Sequence, residues 1–125
     1  MRKLAALIAV LMLAFVGAAA ARDNGTPGIA LLSAKATGHT IIVTVRIHDW
    51  KMLPSRVGKK PNSATGGHWH VFIDGKYNNF SANATTGKAL KVKSGWHTVM
   101  AELANNDHSE LSPPRKSKTM RVHVG

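Results

Sequence analysis

The sequence predicts an all-β fold: an immunoglobulin-like antiparallel β-sandwich of six or seven strands, preceded by a signal peptide. Three observations favour this fold class. Apolar residues recur at every second position in several short stretches, turn signals separate these stretches, and helical periodicity is missing after residue 21. A chain of 125 residues has room for one such domain.

Residues 1–21 have the layout of a secretory signal peptide. A basic start is followed by an apolar run and by consecutive alanines that end at Ala21. We expect cleavage after Ala20 or Ala21, which leaves a secreted or periplasmic β-sandwich domain over residues 22–125. The apolar run is short for a membrane span and no second run follows it, so we expect no transmembrane span after cleavage.

The first two strands follow a lead-in that contains glycine and proline. Residues 29–36 form a short apolar stretch, which predicts an edge strand. Residues 39–48 are the clearest strand, because β-branched residues occupy every second position. One face of this strand is therefore expected to be buried: Ile41, Val43, Val45 and Ile47.

The later strands are shorter, and turn signals such as Asp74-Gly75 and Ser94-Gly95 bound them. In residues 88–93, for example, Leu90 and Val92 are expected to share one buried face. By the same reasoning we expect strands at residues 67–74, 88–93, 96–104 and 117–124, and a short one near residues 76–80.

The chain is strongly basic, with a formal net charge of +11. This charge favours an anionic envelope polymer as a partner, whereas the lack of a basic motif interleaved with aromatic residues argues against nucleic acid. The long connection over residues 49–67 is rich in basic residues, and loops of this length are either functional or mobile. An alternative function is therefore a non-metal envelope or cell-surface interaction module that uses Trp50, Lys51, Arg56, Lys59 and Lys60.

Two histidines flank a tryptophan in the predicted strand 67–74. Trp69, Val71 and Ile73 form the better core face, so His68 and His70 should point outward into solvent. Side chains two residues apart on a strand are separated by roughly 6–7 Å, which lets two imidazoles hold one ion.

A third ligand must come from a neighbouring strand or loop. If residues 67–74 pair antiparallel with residues 96–104, the loop that carries His108 lies near His68 and His70. Glu102 and Met100 then face outward on the same side. We expect a copper or zinc site formed by His68, His70, His108 and Glu102, with Met100 or Asp107 as extra ligands. A hydrogen-bonded histidine cluster without metal is the alternative.

The other histidines favour structural or surface positions. His97 follows a turn and lies on the inward face of its strand, where a side chain can bond the preceding turn. His39 and His48 flank the second strand, and His123 points outward from the last one. Cysteine is missing from the sequence, and neither a Ser/His/Asp arrangement nor paired acids are recognisable, so we expect no enzyme and no catalytic residues.

The sequence resembles a group of small exported bacterial domains of immunoglobulin-like fold. The resemblance rests on GGHWHVFIDG, on SGWHTVMAELANNDHSELSPP and on the terminal RVHV, and it covers about residues 40–125. Their shared pattern is GHxHxxxDG, then GxHT, then NxH. It falls here on His68, His70, Asp74, Gly75, His97, Asn106, His108 and Leu111. The resemblance implies the sandwich fold and implies no activity.

Overall fold

The computed structural model describes residues 25–125, so the predicted signal peptide lies outside the described residues. Eight strands are present in this part of the chain: β1 (Gly28–Thr37), β2 (Thr40–His48), β3 (Lys51–Met52), β4 (Gly66–Ile73), β5 (Lys76–Ser81), β6 (Thr86–Ala89), β7 (Gly95–Ala104) and β8 (Met120–Val124). A 3-10 helix spans Pro54–Arg56. Within residues 25–125, no helix has the length and apolar character needed to cross a bilayer.

The strands form two sheets. One has the order β1-β2-β6, and the other has the order β3-β4-β7-β8 with β5 also paired to β4. All pairings between neighbouring strands are antiparallel except that of β3 with β4. This strand order is that of an immunoglobulin-like sandwich, so the predicted fold class is confirmed.

The core lies between the two sheets and is made of alternate residues from each strand. Ile41, Val43 and Val45 of β2 are buried, as expected from their period of two. Trp69 of β4 is fully buried among the same core residues. Its indole N–H donates a hydrogen bond of 2.7 Å to the Asn83 carbonyl oxygen, so its polar atom is satisfied inside the core.

Two predicted strands differ from the observed ones. The strand expected at residues 88–93 is β6, which ends at Ala89. Lys91 has a φ of 53°, and this left-handed residue interrupts the alternation. As a result Val92 is buried whereas Leu90 is 44% exposed, and the prediction that they share one buried face is wrong. The last strand, β8, also begins later than expected.

The turn between β4 and β5 determines what covers the outer face of β4. Asp74 and Gly75 have φ values of 52° and 82°, as a two-residue type I′ hairpin requires. The hairpin pairs β5 with β4, with Phe80 opposite His70 and Tyr77 opposite Phe72. The predicted short strand therefore belongs to the sheet of β4 and β7, and it places aromatic side chains beside the two histidines.

Candidate metal centre

Strand β4 presents two different faces. Trp69, Val71 and Ile73 face the core, and His68 and His70 lie on the opposite face, as the alternation predicted. The two histidines are nevertheless buried, with exposures of 0% and 7%. The prediction that they point into solvent is wrong because other side chains cover this face of the sheet.

Strand β5 supplies part of the cover. The ring of Phe80 meets His68 edge to face, with 5.8 Å between ring centroids. Tyr77 meets His70 in the same manner at 4.8 Å. These aromatic rings remove the imidazoles from water on one side. Neither residue was predicted from the sequence, because their position depends on β5 pairing with β4.

The loop after β7 supplies the remaining cover. Its position is fixed by hydrogen bonds to the long connection between β3 and β4. The N–H of Gly58 donates to the Asn106 carbonyl oxygen at 2.6 Å, and the Asn106 side-chain amide donates to the Pro61 carbonyl oxygen at 3.0 Å. Asn106 is itself buried. The connection therefore acts as a support for the loop that carries His108.

His108 is held in an uncommon backbone conformation. Its φ is 73°, in the left-handed region that residues other than glycine seldom occupy. A hydrogen bond of 2.9 Å from its N–H to the Asn105 carbonyl oxygen closes the turn. Strain of this kind persists where surrounding structure imposes it, and it concentrates at functional sites. Here it directs the imidazole of His108 towards β4.

The three imidazoles meet at three nitrogen atoms. Nε2 of His68 lies 3.1 Å from Nε2 of His70 and 3.1 Å from Nδ1 of His108, and the remaining edge, from His70 Nε2 to His108 Nδ1, is 3.2 Å. The atoms thus form a nearly equilateral triangle. His68, His70 and His108 are a group that can hold a metal ion.

Hydrogen bonds alone cannot satisfy this triangle. A ring nitrogen of a neutral imidazole either carries a proton and donates, or carries a lone pair and accepts. Around three mutually adjacent nitrogens, at most two contacts can join a donor to an acceptor. The third contact brings together two lone pairs or two N–H groups, which repel each other. A cation at the centre removes the conflict, because all three nitrogens can then direct lone pairs towards it.

The electrostatic environment keeps two of these imidazoles neutral. Burial lowers the pKa of His68 to about 4, and an electrostatic contribution from the neighbouring His108 lowers it further. Burial also lowers the pKa of His70 to about 4, with further contributions from His68 and His108. Neutral imidazole is the form that binds a metal ion, so both side chains are ready to coordinate at neutral pH.

Glu102 and Met100 lie beside the three histidines. In the ladder between β4 and β7, Glu102 is opposite His70 and Met100 is opposite Phe72. Glu102 is 4% exposed, and its Oε2 is buried without a hydrogen-bond partner among the described residues. Glu102 does not belong to the set of side chains whose ligand atoms lie close enough together to hold one ion, which contains only the three histidines among the described residues. Burial raises the pKa of Glu102 to about 7, a side-chain hydrogen bond with Glu110 and the charge of Glu110 add to this effect, and Lys116 acts in the opposite direction.

A cleft of about 470 Å³ opens next to the histidines. Its lining includes His70, His108, Met100, Glu102, Glu110 and Lys116. The last two were not predicted from the sequence, because only the folded loop brings them to this cleft. Asp107, which was predicted as an extra ligand, instead accepts a hydrogen bond of 3.1 Å from the N–H of Ser109.

His97 has a structural role, as predicted. Its Nε2 donates to the Lys93 carbonyl oxygen at 2.7 Å, and its Nδ1 lies 2.6 Å from Asp74 Oδ2. The hydrogen bond to Asp74 is the main cause of a raised pKa for His97, and the same bond lowers the pKa of Asp74. The pair connects the β4–β5 turn to β7, away from the metal centre.

The remaining histidines lie at the surface. His39 and His48 are exposed at the two ends of β2, as predicted. His123 is exposed on β8, where its ring is 5.0 Å from that of Trp96. None of these surface histidines belongs to the group formed by His68, His70 and His108.

The predicted interaction residues do not form one exposed surface. Trp50 is 8% exposed and packs in the core, so its assignment to an exposed binding surface is wrong. The pairing of β3 with β4 places it against the sandwich. Arg56 is half-buried and donates a hydrogen bond of 2.7 Å to the Lys60 carbonyl oxygen. Exposed side chains in this set are those of Lys51, Lys59 and Lys60.

No protein-family model matches the chain, and no curated protein matches it. The chain is similar to a solved structure described as "Structures of Clostridium thermocellum CbhA fibronectin(III)-like modules", with 17% sequence identity and a TM-score of 0.44. The match covers 78% of this chain and 44% of that chain, so this chain spans less than half of its length. A likeness this low does not bear on function, and the sandwich architecture stands on the strand pairing described above.

Proposed function

We propose that this protein is an exported metal-binding β-sandwich, rather than an enzyme, and that it holds one Zn²⁺ or Cu²⁺ ion through His68, His70 and His108. The observation that carries the proposal is the triangle of three ring nitrogens with edges of 3.1–3.2 Å. The triangle cannot be satisfied by hydrogen bonds, and one cation resolves it.

The size of the triangle suits a transition-metal ion. An ion at the usual 2.0–2.1 Å from each nitrogen would lie about 1 Å above the plane of the three atoms, with N–metal–N angles of about 100°. These angles are close to those of a tetrahedral site. Burial supports the proposal too, because it keeps His68 and His70 neutral and excludes competing water from them.

The ligand type narrows the choice of ion. Three imidazoles suit Zn²⁺ and Cu²⁺, whereas Mg²⁺ and Ca²⁺ prefer oxygen ligands. Cu²⁺ generally binds nitrogen sites more tightly than Zn²⁺, so we expect the higher affinity for copper. Met100 lies near the site, but it is not needed to complete the triangle.

Competition titration with a chromophoric chelator tests the proposal. The protein should bind one equivalent of Zn²⁺ or Cu²⁺ with an affinity that His108→Gly lowers by at least about 100-fold, because a coordinating side chain is removed. Glycine suits the left-handed backbone at this position, so the variant keeps its fold. His123→Ala removes an exposed imidazole and is the matched control. Equal stoichiometry and affinity in wild type and His108→Gly would refute the proposed site.

The predicted binding of an anionic envelope polymer remains a separate hypothesis. It now rests on the exposed Lys51, Lys59 and Lys60, because Trp50 is buried. No contact in the described part of the chain favours it over metal binding.

A further inference from the structure

The metal site has three protein ligands and a cleft beside it, and this combination suggests a fourth ligand from solution. Building on the proposed function, we infer that the bound ion keeps one coordination position for a water molecule, which small anions can displace, and that Glu102 accepts a hydrogen bond from this water.

The number of protein ligands is the first argument. Among residues 25–125, the group of side chains able to hold the ion contains three histidines and neither an aspartate nor a glutamate. Structural zinc sites are closed by four protein ligands, whereas sites with three protein ligands keep the fourth position for water or another small molecule. A four-coordinate ion on this triangle therefore needs a ligand from outside the chain.

The cleft is the second argument. His70 and His108 both line it, so it reaches two of the three ligands. The cleft of about 470 Å³ is large enough for a water molecule or a small anion beside these two ligands. A second cleft, of about 450 Å³, also reaches His70 and His108, but its other walls are Phe72 and Tyr77.

Glu102 is the third argument, and it favours the first cleft. Glu110 hydrogen-bonds to the carboxyl group of Glu102, but the buried Oε2 has no donor among residues 25–125, which is costly for a carboxyl oxygen. Glu102 lies directly opposite His70 across the β4–β7 ladder, where Cβ atoms are about 4.5–5.5 Å apart. A water molecule on the ion can donate a hydrogen bond to this oxygen and satisfy it. Glu102 thus becomes a partner of the fourth ligand, rather than the direct ligand that the sequence predicted.

The charges around the cleft define the class of displacing ligand. The ion is positive, and Lys116 lies at the cleft with its Nζ 3.9 Å from Glu110 Oε2. The positive charges of the ion and of Lys116 attract an anion into the cleft. The carboxyl groups of Glu102 and Glu110 disfavour an anion that is large or multiply charged. Small monovalent anions, such as azide or thiocyanate, are therefore the expected ligands.

Cobalt substitution tests the inference, because the visible spectrum of Co²⁺ reports its coordination. The protein loaded with one equivalent of Co²⁺ is titrated with azide. We expect a saturable change in the visible bands, and we expect Glu102→Gln to tighten azide binding by about threefold or more, since it removes a negative charge beside the anion. Affinity for Co²⁺ itself should fall in the same variant, because the lost negative charge attracts the cation. Asp49→Asn, a change of the same charge outside the cleft, should leave both affinities unchanged.

The outcomes separate this inference from the proposed function. Co²⁺ binding with a spectrum that excess azide leaves unchanged would overturn the open position while the three-histidine site stands. A spectral change with the same azide affinity in wild type and Glu102→Gln would overturn the role of Glu102. Failure of the wild-type protein to bind Co²⁺, Zn²⁺ or Cu²⁺ would refute the metal site itself, and this inference with it.

Discussion

Nε2 of His68 lies 3.1 Å from Nδ1 of His108, although 40 positions separate the two residues in the chain. Two structural features bring them together. The antiparallel pairing of β4 with β7 places the end of β7 beside the start of β4, with Ala104 opposite His68. Gly67 permits this approach, because a Cβ atom there would overlap with the Ala104 carbonyl oxygen.

Metal ions should stabilise the folded protein. A ligand that binds only the native state, at a free concentration 100 times its dissociation constant, adds about 2.7 kcal/mol to the free energy of unfolding. We expect a gain of this size in urea unfolding when Zn²⁺ is added to wild type, and no gain for His68→Ala. If both proteins gain equally, the ion binds elsewhere.

Removal of the His108 side chain should stabilise the metal-free protein. His108→Gly relieves the left-handed strain at φ 73°, and it also leaves the other two nitrogens free to pair as one donor and one acceptor. We expect the free energy of unfolding of the metal-free form to rise by about 0.5–1 kcal/mol, after the entropy cost of glycine is subtracted. Urea unfolding with a chelator present measures it. A loss of stability would indicate that His108 serves the fold rather than an ion.

The metal-free protein should become less stable as the pH falls below neutral. His68 and His70 have a pKa of about 4 in the folded protein, against an ordinary histidine pKa of 6.5, so the unfolded chain takes up their protons first. Their contribution to stability is therefore lost as the pH falls from about 6.5 to about 4.

Glu102 acts in the opposite sense in this pH window. The pKa of Glu102 is about 7 in the folded protein and 4.5 ordinarily. Its contribution to the free energy of unfolding is therefore present at low pH and is lost as the pH rises through 7. Because the two histidines together outweigh the one glutamate, we still expect the metal-free protein to lose stability when the solution is acidified. Glu102→Gln should make the loss steeper. Urea unfolding between about pH 7 and pH 5 checks both statements, and stability independent of pH would contradict them.

Asp74→Asn should destabilise the turn between β4 and β5. Asp74 accepts hydrogen bonds from His97 Nδ1 at 2.6 Å and from the Thr98 N–H at 2.9 Å. Asparagine tolerates the positive φ of this position, so the variant mainly removes the charge and the bond to His97. We expect the melting temperature at about pH 6 to fall by about 5 °C.

The pH dependence of this effect has a defined sign. Because the pKa of His97 is raised in the folded protein, its contribution to stability is fully present below pH 6.5. This contribution is lost as the pH rises through the pKa that His97 has in the folded protein. The lowered pKa of Asp74 means that its contribution is lost only at acid pH. The difference between wild type and Asp74→Asn should therefore shrink in alkaline solution. A difference that grows with pH would contradict the assignment.

Gly87→Ala should destabilise the core, because Gly87 leaves room for the indole of Trp69. A Cβ atom at this position would lie 2.5 Å and 2.9 Å from two atoms of that ring. We expect a cost of about 1–3 kcal/mol, measured by urea unfolding. Gly125→Ala, at a position with open space, is the matched control and should have no effect. Equal stability of the two variants would show that the indole can shift.

The features that the sequence predicted are mostly local. The alternation of Ile41, Val43 and Val45 required no knowledge of the rest of the chain, and the Asp74-Gly75 pair defines its own turn. The meeting of His108 with β4 was predictable as well, because antiparallel pairing in a sandwich places the loop after one strand beside the start of its neighbour.

The features that the sequence did not predict depend on tertiary contacts. Burial of His68 results from Phe80 and His108, which approach from different elements, so alternation along β4 could not reveal it. Trp50 is buried because β3 pairs with the start of β4 across a long connection. A two-residue strand has too little periodicity to be recognised in a sequence.

The most direct test of the metal site is a crystal structure of the protein grown with one equivalent of Zn²⁺, with anomalous differences measured at the zinc edge. We predict one strong peak at about 2.0–2.1 Å from Nε2 of His68, Nε2 of His70 and Nδ1 of His108. A peak at His48 or His123 instead, or full binding in solution with no peak between these three nitrogens, would contradict the account.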